Sequence, residues 1–304
     1  MRGRQQGFAL LIAIGVVALA TVTAVALVAT LGGWVKRSEL QTQQSQATEL
    51  ARAGVEWARS MLFEDRRLSD VDHAGEPWAL KLAPVAVESG HLSGFALDQQ
   101  GLFNLNNLLR GGGADAAQLA GFRRLLGVLD LPSGLADALA DWLDADGDVR
   151  SPAGAEDAYY QALDVPYLAG NRVLVDVDEL ALIRGFDAAV RARLRPFVSA
   201  LPTSTRLNVN TAPAEVLVTL AEGMRLDEAR AIEAARTAAY FRNTAEFLAR
   251  VPPRLTVSIA DISVSSDYFL VHLRADLGEV EARATALLLR EAGRWPIVVW
   301  RRPA

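Results

Sequence analysis

Phe8 to Val35 carries no charged residue and is built almost wholly from Leu, Ile, Val and Ala. Nothing else in the chain constrains its fold as strongly. About 20 apolar residues cross a hydrocarbon core as a helix, so this run spans one with a turn or more to spare. It follows the short basic leader Met1-Arg-Gly-Arg-Gln-Gln-Gly7. By the positive-inside rule, Arg2 and Arg4 stay on the cytoplasmic side. The remainder is then expected across the membrane, as the globular part of a single-pass protein. An ordinary cleaved signal peptide is the competing reading. Its apolar region is about 7–15 residues long and ends in a small-x-small site, and this run is far longer.

Helical spacing continues past the span. Leu40, Ala47, Leu50, Ala51, Gly54, Ala58, Met61 and Leu62 recur at steps of three and four, with polar residues between them. The spacing predicts one helix from about Phe8 to Phe63, half in lipid and half on a globular head. Its apolar face is expected to serve partner helices as well, with Trp57 near the edge. After a mixed stretch, His91-Leu-Ser-Gly-Phe-Ala-Leu-Asp98 reads as a strand with a bulge at Gly94. From Gly101 to about Val251 the pattern is helical. Three strands close the chain: Tyr268–Ala275, then Glu279–Leu289 after a turn at Asp276-Leu-Gly-Glu279, then Trp295–Arg301. Their short spacing implies an antiparallel meander. Strands on either side of a helical block imply an α+β head with an all-α insertion.

The helical block contains a weak internal repeat. Asn104-Leu-Asn106 returns as Asn208-Val-Asn210, followed by Thr211-Ala-Pro213. Each copy leads into two short helices and ends in a short capped helix, at Asp176–Ile183 and Asn243–Arg250. Asn210 and Thr211 are placed to cap a helix beginning near Pro213. The second copy resembles a helix-hairpin-helix unit, whose Gly-hydrophobic-Gly loop holds a phosphate on backbone amides. Here the loop is Ala221-Glu-Gly223-Met-Arg225. One glycine is missing and Glu222 would face the phosphate. The net charge of −5 also argues against a nucleic-acid partner, which needs a basic surface. Packing or docking is the better use of such units.

The strongest chemical signal is Asp141-Trp-Leu-Asp144-Ala-Asp146-Gly-Asp148, followed by Gly154-Ala-Glu156-Asp157-Ala-Tyr159-Tyr160. Carboxylates at alternate positions curl around one hard cation, and calcium accepts 6–8 oxygens in flexible geometry. The loop begins like an EF-hand and then departs from one, because Ala155 stands where the bidentate acid belongs. So many acids in so short a stretch repel one another without a counter-ion. Calcium is the expected cation, since magnesium demands tighter octahedral geometry. No nucleophile or base accompanies these acids, and the 3 His residues are scattered, so no enzyme activity is read here. The absence of Cys leaves the compartment open.

Together these residues resemble the type II secretion minor pseudopilin K family. Gly7–Phe8 before a long apolar helix looks like a prepilin cleavage junction, although Ile12 stands where most members of the wider pilin family carry Glu. Asn104-Leu-Asn106, Asp141-Trp-Leu-Asp144-Ala-Asp146, Gly154-Ala-Glu156-Asp157-Ala-Tyr159-Tyr160, Val177-Asp-Glu-Leu180, Asn208-Val-Asn210-Thr-Ala-Pro213 and Ser266-Asp-Tyr-Phe269 carry the rest. The resemblance implies a pseudopilin fold: a long N-terminal transmembrane helix on an antiparallel sheet, interrupted by a large all-α insertion with helix-hairpin-helix-like (SAM-like) repeats. It divides the chain into a leader (1–7), a transmembrane helix (8–35), a periplasmic helix with the first strands (36–100), the insertion with its acidic loop (101–258) and the closing strands (259–304). It implies cleavage after Gly7 by a prepilin peptidase, methylation of Phe8, and an inner-membrane protein with its head in the periplasm. It further implies a place at the pseudopilus tip with minor pseudopilins I and J, contact with the major pseudopilin or secreted substrates, and a role in protein export. Ile12 suits a subunit with nothing above it. Calcium is implied at Asp144, Asp146, Asp148, Glu156 and Asp157, with Asp141 a weaker candidate. A membrane-anchored DNA-binding or DNA-uptake protein and a tip minor pilin of a type IV pilus are the alternatives.

Overall fold

The structure is a computed structural model that describes residues 3–87, 90–111 and 113–303. Met1 and Arg2 of the basic leader lie outside the described residues. Helix α1 runs unbroken from Gly3 to Leu68, longer at both ends than the spacing predicts. Gly7 and Phe8 are consecutive residues within it. Its apolar part, with Phe8 at 68% and Val35 at 67% exposure, packs on nothing, as a lipid-facing segment must. It is the one helix among the described residues long and apolar enough to cross a membrane.

Beyond the span, α1 lies on a five-stranded antiparallel sheet. The strands are β1 (Leu82–Val87), β2 (Gly90–Asp98), β3 (Tyr268–Leu277), β4 (Val280–Leu289) and β5 (Ile297–Pro303), paired in that order. The meander is therefore continuous in space and broken in sequence only between β2 and β3, where the insertion enters. The bulge expected at Gly94 is instead in β1, where the register shifts between Leu82 and Val85; Gly94 keeps its pairing with Leu273. The β3–β4 turn contains only Gly278 and Glu279.

The face of α1 expected to serve partner helices is taken up by the protein's own sheet. Ala51, Val55, Ala58 and Leu62 are buried against Phe269, Val271, Leu273, Ala284 and Ala286. Small residues along this stripe let the helix axis approach the sheet. At Gly54 the approach is closest: a Cβ there would stand 2.9 Å from Leu273 Cδ1 and 3.3 Å from Leu92 Cδ1. Burying such a stripe returns about 25 cal/mol per Å² of apolar surface, which a solvent-exposed docking face would forgo. Trp57, at 48% exposure, is left at the margin as expected.

The insertion has a separate core, centred on Leu105, Phe122, Leu125, Leu139, Tyr160, Val216, Leu217 and Phe247. Helices α2 (Ala116–Val128) and α3 (Leu135–Leu143) belong to its first half, with α4 (Asp157–Gln161) and α5 (Ala188–Leu194). Helices α6 (Ala214–Leu217), α7 (Leu226–Ala238) and α8 (Thr244–Leu248) form the second. Each half is closed by a two-residue parallel pairing, Phe103–Asn104 with Val198–Ser199 and Leu207–Asn208 with Ile262–Ser263.

The Asn-x-Asn repeat does equivalent work in both halves. Asn106 donates to Leu174 O at 2.8 Å and accepts from Leu174 N at 2.8 Å. Asn210 donates to Phe241 O at 2.9 Å and accepts from Phe241 N at 2.8 Å. Two residues after each clamped backbone comes a helix cap, Asp176 or Asn243. The expected capping by Asn210 and Thr211 does not occur. The α6 cap position is Pro213, without a side-chain bond. Asn210 is committed to Phe241, and Thr211 donates to Asp98 across 113 residues. Long-range satisfaction of buried amides has outcompeted the local cap.

The two parts meet at one end of the sheet. Arg290, 1% exposed, pairs with Asp65 at 2.7 Å and Asp72 at 2.6 Å. Asp98 accepts from Asn208 and Ser266. Burial pushes the Asp98 carboxyl up, against its hydrogen bonds to Thr211 and Ser266. Asp65 is pushed up to about 6, by burial first and then by Glu76. At the opposite end of the sheet, Gln43 of α1 reaches the β3–β4 turn at Gly278, and Lys36 pairs with Glu279. From Gln43 to Asp65 a helix rises roughly 33 Å. The insertion is thus mounted on the end of the head remote from the apolar span.

Candidate metal centre

The acidic loop begins at the end of α3 and returns at the start of α4. The high apolar content of α3 buries it entirely, including Asp137 and Asp141. Asp141 is held by the loop's own return: Arg150 N donates to its Oδ2 at 3.1 Å and Arg150 Nη1 to its Oδ1 at 2.8 Å. Gly154 closes the turn, donating to Arg150 O at 2.7 Å. A Cβ at Gly154 would stand 2.1 Å from Asp141 Oδ2 and 2.6 Å from Arg150 O, so no side chain fits there.

The fold brings three of the five predicted ligands together. Asp144, Asp146 and Glu156 each offer an oxygen within 4.8 Å of the others. Asp144 Oδ2 is engaged by Arg150 Nη1 at 2.6 Å. Asp144 is 1% and Glu156 6% exposed, yet Asp144 Oδ1 and Glu156 Oε1 have no hydrogen-bond partner. Buried carboxylate oxygens are rarely left this way. Burial raises the Glu156 pKa to about 7, helped by Asp141, Asp144, Asp146 and Asp157. Burial also raises that of Asp144, against the attraction of Arg150. These residues fit a hard divalent cation: all donors are oxygen, two buried oxygens lack a partner, and negative charge is in excess.

The other two predicted ligands are used differently. Asp148 is exposed and donates its backbone N–H to Asp146 at 2.9 Å, forming the turn. Asp157 accepts from Ala169 N at 2.8 Å and fastens the following loop. Asp141, the weaker candidate, belongs to Arg150. Sequence reasoning missed Arg150 itself and the Arg290–Asp65–Asp72 group. The one signal for the latter is a lone Arg directly after the apolar run Leu287-Leu-Leu289 of β4. That second acidic group, Asp65, Asp72 and Glu76, already contains its cation in Arg290. Glu76 is further satisfied by His73 N and Trp78 Nε1.

With this geometry in hand, the relatives are informative. Two family models, both described as "Type II secretion system (T2SS), protein K", match residues 101–203 and 207–263. They part where the first Asn-x-Asn half ends and the second begins. The type II secretion system protein K of Pseudomonas aeruginosa is 39% identical over 73% of this chain and 70% of its own length. That of Aeromonas hydrophila is 32% identical over 94% and 93%. A chain of the crystal structure of the GspK-GspI-GspJ complex from the enterotoxigenic Escherichia coli type 2 secretion system superposes with a TM-score of 0.76 at 26% identity, covering 88% of this chain and 99% of that one. The chain belongs to the type II secretion system protein K family and is a minor pseudopilin of that system.

Proposed function

We propose that this subunit sits at the tip of the pseudopilus, bound to minor pseudopilins I and J, and primes assembly for protein export. The observation that carries this reading is the placement of the insertion. A bulky helical mass stands on the end of the head remote from the membrane span, where it would obstruct a further subunit. The solved relative of similar fold was crystallised in a GspK-GspI-GspJ complex, which supports the choice of partners. In the same reading, a prepilin peptidase removes the leader after Gly7, Phe8 becomes a methylated N-terminus, and α1 anchors the head to the inner membrane on its periplasmic side. Major pseudopilin and secreted substrates are further contacts.

Calcium is the cation we assign to Asp144, Asp146 and Glu156. When bound, it neutralises the carboxylates and ties the two ends of the acidic loop together. Asp148 shapes the turn beneath it, and Asp157 extends the effect to the loop at Ala169. The two Asn-x-Asn halves are helix-hairpin-helix-like units used for packing, with Glu222 in the position a phosphate would need. The role is structural, without catalysis.

Co-expression of the full chain with minor pseudopilins I and J, followed by detergent purification in calcium buffer, tests the assignment. An equimolar complex is expected. A chain that purifies alone from both partners would remove the tip reading.

A further inference from the structure

Four carboxylates converge on the acidic loop, and one guanidinium stands among them. Asp141, Asp144, Asp146 and Glu156 are the acids; Arg150 touches Asp141 at 2.8 Å and Asp144 at 2.6 Å. A second arginine at this turn is engaged elsewhere: Arg184 donates to Gly154 O at 2.9 Å and lies over the Tyr159 ring. Arg150 is held at three points. Its backbone N–H bonds Asp141, its carbonyl accepts from Gly154, and its side chain reaches both acids. Its side chain is 26% exposed, so the charge is partly shielded from water and acts at short range.

We infer that Arg150 is a resident counter-ion that holds the acidic loop closed without metal and, by its charge, lowers the affinity of the loop for a divalent cation. The inference rests on the assignment of calcium to this loop. With all four acids ionised, three negative charges in excess of Arg150 attract the metal, and Asp144 Oδ1 and Glu156 Oε1 stay free to bind it. A cation entering there meets the positive charge of Arg150 on Asp144. The loop is therefore built before the metal arrives, and occupancy becomes graded with calcium concentration instead of permanent. Many metal loops are disordered until filled, and binding then drives folding; Arg150 separates the two events.

The test compares the full wild-type chain in detergent with Arg150→Gln and Arg150→Lys, by calorimetric titration with calcium chloride and by thermal melting in chelator. Arg150→Gln is expected to bind calcium on the order of tenfold more tightly, equivalent to about 1.4 kcal/mol. It should also melt earlier than wild type in chelator and regain stability with calcium. Arg150→Lys keeps the charge and should bind calcium as the wild type does. Unchanged or weaker binding by Arg150→Gln would overturn the inference, as would tightening in Arg150→Lys equal to that in Arg150→Gln. If none of the three chains binds calcium, the metal assignment fails. The melting in chelator then judges the counter-ion role alone: an earlier transition in Arg150→Gln upholds it, and an unchanged one overturns it.

Discussion

Replacing Asn210 by Ala leaves a backbone N–H and a backbone C=O of Phe241 unpaired in the insertion core. Phe241 is 4% and Asn210 3% exposed, so water does not replace the lost partners. Each of the two orphaned buried groups costs about 1–3 kcal/mol, which puts the loss at about 2–6 kcal/mol. Asn106 makes the same two bonds to Leu174, with lengths of 2.8 Å against 2.8 and 2.9 Å at Asn210. Asn106 also donates to Leu201 O at 2.8 Å, so Asn106→Ala orphans one more buried group and should be the more damaging of the two, by about 1–3 kcal/mol. Asn107 is the control. It also clamps a backbone, Thr205, at 2.8 and 3.0 Å, but it is only half-buried, so water repairs much of its loss. Urea unfolding followed by native-state hydrogen exchange measures all three, with the Phe241 and Leu174 amides as local reporters. The reasoning is refuted if Asn106→Ala is less damaging than Asn210→Ala, or if either is no more damaging than Asn107→Ala.

Two further outcomes follow from the packing and the acidic loop. Glu156 is raised from 4.5 to about 7 in the folded chain, so the folded state holds its proton more tightly; this contribution is full below about pH 4.5 and is lost as pH rises through about 7. Metal-free protein should therefore melt earlier at about pH 8 than at about pH 6, and Glu156→Gln should flatten that difference; a full pH response in the Gln variant would exclude Glu156 as its source. Gly54→Ala pushes a methyl group to 2.9 Å from Leu273 Cδ1 and should destabilise the head by about 1–3 kcal/mol, measured by denaturant unfolding. Wild-type stability would show that α1 does not sit as close to the sheet as described. A bulkier residue at Gly54 would, for the same reason, abolish partner binding by unfolding the head and not by blocking an interface.

The anchor was legible in the sequence because membrane insertion depends on hydropathy summed over a local window, and Phe8–Val35 needs no partner to declare itself. The strands were legible for a similar reason. Alternation in Tyr268–Leu277 and a tight turn at Gly278 are local properties, and β3 and β4 appear within a few residues of where the pattern puts them. The acidic loop was visible as a composition. Its internal arrangement was not, because whether a carboxylate becomes a ligand, a turn former or an ion-pair partner depends on what the chain brings beside it. Asp148 and Asp157 look as suitable as Asp144 until the fold assigns one to a turn and the other to Ala169. Asn210 and Thr211 read as helix caps because a cap is the nearest use for such residues. Phe241 lies 31 residues away and Asp98 113, beyond any local rule. The same holds for the stripe on α1. Periodicity identified which side of the helix is apolar, and that much belongs to the sequence alone. Whether the side faces a partner or the protein's own β3 and β4 was decided by tertiary packing, because burial rewards any apolar surface equally and the adjoining sheet is tethered to the helix in the same chain.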